Sequence, residues 1–150
     1  MTLESRVEPI LILLVEDNSG DADLVCLGLK RAKVLNRVNV VEDGEEALAF
    51  LRREGTHADA PRADLIFLDL NLPKMDGREF LTEIKADPKL HHIPVVVLTS
   101  SDADEDVFRA YRLQASCYVK KPVLFQDFLK TIGQIDDFWL SVVRLPRELS

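Results

Sequence analysis

Three short runs of unbroken apolar residues divide the chain: Ile10–Val15, Leu65–Leu68 and Val95–Leu98. Each is too short for a helix and reads as a strand buried on both faces. Val38–Val41 is a β-branched strand that leads to the turn signal Asp43-Gly44, and Tyr118–Lys120 is a shorter strand. Between the strands the apolar positions change to helical spacing. Ala22, Val25, Leu29 and Ala32 fall on one helical face, and Ala47, Leu48 and Leu51 on a second. Phe80, Leu81 and Ile84 face inward from a helix over Gly77–Ala86, closed by Asp87-Pro88. Val107, Ala110 and Tyr111 form a fourth face, with Ser101 and Asp104 as its capping box. Phe125, Phe128, Leu129, Ile132 and Ile135 stripe a fifth helix. Asn18 or Ser19 caps the first helix. Glu54–Arg62 is a polar loop with no pattern of its own.

Strand and helix alternate five times, which predicts an α/β fold with a parallel sheet covered on both faces. Right-handed crossovers with one switch point favour a flavodoxin-like doubly wound sheet of five strands, order 2-1-3-4-5, with five helices. In that order the first and third strands are neighbours. Their carboxyl ends bring Glu16 and Asp17 beside Asp69, and the fourth and fifth strands add Thr99 and Lys121 to the same edge. Pro73 and Asp76-Gly77 turn the chain just after Asp69.

The 150 residues are expected to form a single domain, with a core over about 10–138 and a helical extension over about 139–146. A hydrophobic fraction of 47% and a charged fraction of 30% are ordinary for a globular protein. The formal charge of -7 argues against a nucleic-acid binder, which needs clustered Lys and Arg. No apolar run approaches about 18 residues and the first nine residues hold no signal core, so a cytoplasmic protein without a membrane span is expected. Cys26 and Cys117 lie far apart in apolar segments and read as buried thiols. His57 reads as a loop residue, and His91 and His92 as solvated.

Three carboxylates at one rim repel each other, by roughly 4 kcal/mol per pair at about 4 Å and an effective dielectric near 20. Either a proton or a cation must neutralise them. Oxygen-only ligands, with no His or Cys nearby, favour a hard cation such as Mg²⁺, which keeps waters and leaves a place for a phosphate oxygen. Lys121 then balances a bound phosphoryl group, and the Thr99 hydroxyl donates to one of its oxygens. A carboxylate can itself attack phosphorus.

The segments Leu14–Asn18 (LVEDN), Asp69–Gly77 (DLNLPKMDG), Val97–Ser100 (VLTS) and Tyr118–Pro122 (YVKKP) together resemble the receiver domain of two-component response regulators, over about Ile10 to Phe138. The resemblance implies that Asp69 accepts a phosphoryl group from a histidine kinase. It implies Mg²⁺ held by Asp17, Asp69 and the Asn71 carbonyl, with Glu16 acting through water. It makes Lys121 the phosphate-contacting lysine, Thr99 and Tyr118 the switch pair, and Lys121-Pro122 a cis bond. Asn71 and Ser101 would tune the lifetime of the phosphoryl group. Gln114 departs from the family's frequent Gly, and the Glu54–Arg62 loop is longer than in minimal receivers.

Phe138, Trp139, Val142 and Val143, followed by Leu145-Pro146, resemble the tail of the small regulators that serve cyanobacterial phytochromes. A phytochrome kinase is then the implied partner. A helix over Leu124–Arg144 would be about 30 Å long and would carry that apolar patch beyond the sheet, predicting a homodimer. Two rivals fit less well. A haloacid-dehalogenase-like Mg²⁺-dependent phosphatase wants an acid two residues after the nucleophile, where this chain has Asn71. A flavin carrier wants a Ser/Thr-rich phosphate loop after the first strand, where this chain has Glu16-Asp17.

Overall fold

The computed structural model describes residues 9–30, 36–70, 72–99 and 117–120; for Thr99 and residues 117–120 the description is of the backbone. The elements run β1 (Ile10–Val15), α1 (Ser19–Lys30), β2 (Asn36–Val41), α2 (Gly44–Arg52), β3 (Leu65–Asp69), α3 (Gly77–Ala86), β4 (Val95–Thr99) and β5 (Cys117–Lys120). The strands lie in the order β2-β1-β3-β4-β5, every neighbouring pair parallel. This is the strand order the apolar runs predict. The helices expected after β4 and β5, with Ala32, Ser101, Gln114, the Lys121-Pro122 bond and the Phe138–Val143 tail, lie outside the described residues.

The alternation of side chains along each strand divides the core in two. Leu11, Leu13, Val15, Ile66, Leu68, Val95 and Val97 pack with α2 and α3 on one face. Ile10, Ile12, Leu14, Leu65, Phe67, Val96 and Leu98 pack on the other, with Ala22, Val25 and Leu29 of α1. Strands filled on both faces need apolar residues at every position, which explains the continuous runs. β2, at the edge, is only half-buried, and Val40 stands exposed.

Several local readings are sharpened or corrected. Asn18 is the cap of α1: its Oδ1 accepts the Asp21 N–H at 2.9 Å. Asp43-Gly44 and Asp76-Gly77 are helix starts as well as turns. Asp43 Oδ1 accepts the Glu46 N–H at 2.8 Å, and Asp76 Oδ1 accepts that of Arg78 at 3.3 Å. The loop after α2 is not patternless, because Gly55–His57 forms a 3-10 turn. His57 is half-buried there, its ring edge-on to Phe50 with centroids 5.4 Å apart. His92 is also half-buried rather than solvated, and Arg62 Nη2 lies 3.1 Å from its Nε2. Cys26 is half-buried at the border of the α1-side core, and burial pushes its thiol up.

Candidate functional site

Strand register assembles the site. Val15 of β1 pairs with Leu68 of β3, so Glu16 and Asp69 leave the sheet side by side. The Glu16 N–H still donates to the Val41 carbonyl at 2.9 Å, which continues the β1–β2 ladder by one residue. Glu16 is therefore held in the interior at 1% exposure, while Asp17, one residue on, is exposed. Asp69 ends β3 and is 9% exposed. One carboxylate oxygen from each of Glu16, Asp17 and Asp69 lies within 4.8 Å of the other two. The Asn18 N–H reaches Glu16 Oε2 at a long 3.4 Å and helps aim that acid.

The loop after Asp69 is clamped from below. Gly77 donates its N–H to the Leu70 carbonyl at 3.1 Å. A Cβ on Gly77 would stand 2.7 Å from both the Asp69 carbonyl oxygen and the Leu70 Cα. These are backbone atoms that cannot swing away, so α3 starts against the exit of β3 only because this residue is glycine. From the side, a Cβ on Gly44 would meet Met75 at 2.8 Å, so the start of α2 presses on the same loop. Lys74 sits at φ 60°, a left-handed conformation that costs a non-glycine residue about 1 kcal/mol. Its Nζ reaches Asp43 Oδ2 at 3.5 Å, joining the loop to the cap of α2. Sequence reasoning missed this clasp. The Asp43-Gly44 pair was visible only as a turn signal, and its contact with Lys74 links segments 31 residues apart.

Of the other expected site residues, Thr99 ends β4 at the same rim. Its backbone pairs with Lys120, and Tyr118 pairs two residues earlier with Val97. Asn71 and Lys121 lie outside the described residues. Among the described residues no helix is long and apolar enough to cross a membrane.

An all-oxygen set of three converging carboxylates fits a hard divalent cation, since such ions take carboxylate and water oxygens. The described histidines, in the loops after α2 and α3, are not part of this cluster.

Comparison with known proteins agrees with this geometry. Residues 12–133 match the family described as response regulator receiver domain. Response regulator Rcp1 of Synechocystis sp. is 46% identical over 138 residues, 92% of this chain and 94% of that protein. The phosphorylated cyanobacterial phytochrome response regulator RcpA superposes with a TM-score of 0.86 at 47% identity, over 93% of this chain and 99% of that one. The Mn²⁺-bound form of Rcp1 superposes at 0.85 and 46%, over 92% and 99%. These matches leave the phosphatase alternative without support. A buried strand delivering Asp69 to a rim already holding Glu16 and Asp17, in a chain matched over this length, belongs to the response regulator receiver family.

Proposed function

We propose that this receiver accepts a phosphoryl group on Asp69 from a histidine kinase, and that the kinase is a phytochrome. The observation that carries the reading is the shared space of the Glu16, Asp17 and Asp69 carboxylates at the carboxyl end of the sheet. The homology to Rcp1 and RcpA supports the phytochrome partner. The complete fold is then the flavodoxin-like sheet of five strands with five helices, and the protein works in the cytoplasm, away from nucleic acid.

Asp17, Asp69 and the Asn71 carbonyl would hold Mg²⁺, with Glu16 acting through water. Held there, the ion would supply charge neutralisation for the phosphoryl oxygens of an anionic donor at this anionic rim. The chain's own residues do the rest. One Asp69 oxygen attacks the phosphorus, the new P–O bond forms as the donor's P–N bond breaks, and the electron pair leaves with the donor nitrogen. The clamp at Gly77 fixes the backbone that presents that oxygen. Lys121 balances the product's charge, the Thr99 hydroxyl donates to a phosphoryl oxygen, and Tyr118 follows Thr99 as the second switch residue. The chain's transfer chemistry ends there: it is a signalling protein that phosphorylates itself from a donor and turns over no other substrate. Output passes through contacts, including a homodimer built on Phe138, Trp139, Val142 and Val143. Light scattering of the full chain should give a dimer that Trp139→Ala weakens.

The test is the intact mass after incubation with acetyl phosphate and Mg²⁺. Wild type should gain one phosphoryl group and Asp69→Asn none. Equal labelling of both, or of neither, would overturn the assignment.

A further inference from the structure

The opposite end of the sheet carries a second concentration of charge, with the reverse sign. The end of α2 and the residues after it, the segment after α3, and the residues before β3 line a groove of about 660 Å³. That is the size of a small-molecule site. Measured along β3 from Ala63, the groove is about 20 Å from Asp69. Its floor is apolar, made by Leu51, Leu90 and Ile93.

Its rim carries more positive than negative charge. Arg53, Arg62 and Lys89 line the groove, are exposed, and make no ion pair among the described residues. Arg52 is different, because Glu83 and Asp87 each hold it at 3.3 Å. Asp87 is committed as well: the Lys89 N–H bonds its Oδ1 at 2.8 Å. That bond, then Arg52 and the Lys89 charge, hold its carboxyl below the usual range. Glu54 is the remaining acid of the lining, so the groove holds two more cations than acids in a chain of net charge -7. Arg62 is oriented without being neutralised. It lies against His92 Nε2 at 3.1 Å, and burial first, then the Arg62 charge, lowers the pKa of that ring. A neutral imidazole accepts from the guanidinium and leaves its charge available.

We propose that this groove binds a small phosphorylated molecule with an apolar body, at a site separate from the acidic rim. Two guanidinium forks and an ammonium suit a phosphate dianion, and guanidinium pairs with it through two parallel hydrogen bonds. The floor takes the apolar part. A concave site of this volume suits a small ligand, whereas a docked protein would use a flatter and wider face.

The experiment titrates adenosine monophosphate into the full chain with a chelator present, followed by amide chemical shifts. Saturable shifts at Leu51, Arg53 and Leu90 are expected, with a dissociation constant of about 1 mM or tighter. Adenosine should bind about tenfold more weakly or worse. The double variant Arg62→Gln, Lys89→Gln should lose about tenfold in affinity with an unchanged circular dichroism spectrum and melting temperature. Asp69→Asn should bind as wild type does, so the result is independent of whether Asp69 is the phosphoacceptor. Absence of saturable shifts, equal affinity for adenosine, undiminished binding in the double variant, or binding that requires Mg²⁺ or Asp69 would each overturn the proposal.

Discussion

β3 is flanked by two buried aspartates that have opposite employment. Asp64, at the amino end, is 4% exposed; its Oδ2 accepts the Leu11 N–H at 2.9 Å, and its own N–H donates to the Leu11 carbonyl at 2.8 Å. It finishes the ladder between β1 and β3, so its charge is spent on backbone. Asp69, at the carboxyl end, is 9% exposed and is gathered with two further carboxylates. Like charges brought this close lower stability unless something neutralises them. Burial alone therefore does not distinguish the two acids. The company each keeps does: one aspartate completes hydrogen bonds of the strand ladder, and the other joins a cluster of like charges.

The largest expected effect breaks the support of the carboxyl end. Gly77→Ala drives a methyl group against the Asp69 carbonyl and the Leu70 backbone and should cost about 3 kcal/mol in urea unfolding. Next comes the amino end. Asp64→Ala leaves the buried Leu11 N–H without its carboxylate and should cost about 2 kcal/mol, with Asp69 labelling by acetyl phosphate retained. The contrast is sharpest in Asp17→Asn. Removing one of three clustered charges should raise the melting temperature of the metal-free protein, by on the order of 2–4 °C. The same change should remove the further rise that Mg²⁺ gives wild type. The smallest effect is a pH slope at the amino end. Burial and Arg62 hold the His92 pKa below its usual 6.5, so the unfolded chain binds that proton more tightly. Stability should therefore fall as pH drops below about 6.5, and His92→Gln should flatten that part of a melting-temperature profile.

The interior was legible because each central strand is filled on both faces, so Ile10–Val15 and Leu65–Leu68 could be little else. α3 was legible to the residue, bounded by Asp76-Gly77 and Asp87-Pro88. The acidic rim followed from strand order, since Glu16, Asp17 and Asp69 each stand at or just beyond a strand end. What escaped was the fit between loops. Nothing in the spacing showed that Gly44 presses on Met75, that Lys74 reaches Asp43, or that His57 covers Phe50, because a loop has no period and its partners lie in other segments. Phe50 itself was missed as core. It lies beside the stripe of Ala47, Leu48 and Leu51, and it is buried at 5% while Leu51 is only half-buried and lines the groove. The edge strand β2 was underestimated by two residues because Asn36 and Arg37 are polar positions that nonetheless continue the pairing with β1.

The central claim is that three acids from two strands make one cation site, and calorimetric titration of Mg²⁺ tests it most directly. Wild type should bind a single ion, Glu16→Gln should bind it more weakly, and Asp17→Asn and Asp69→Asn should show no binding heat over the same range. Unchanged Mg²⁺ affinity in Asp17→Asn and Asp69→Asn would contradict the account.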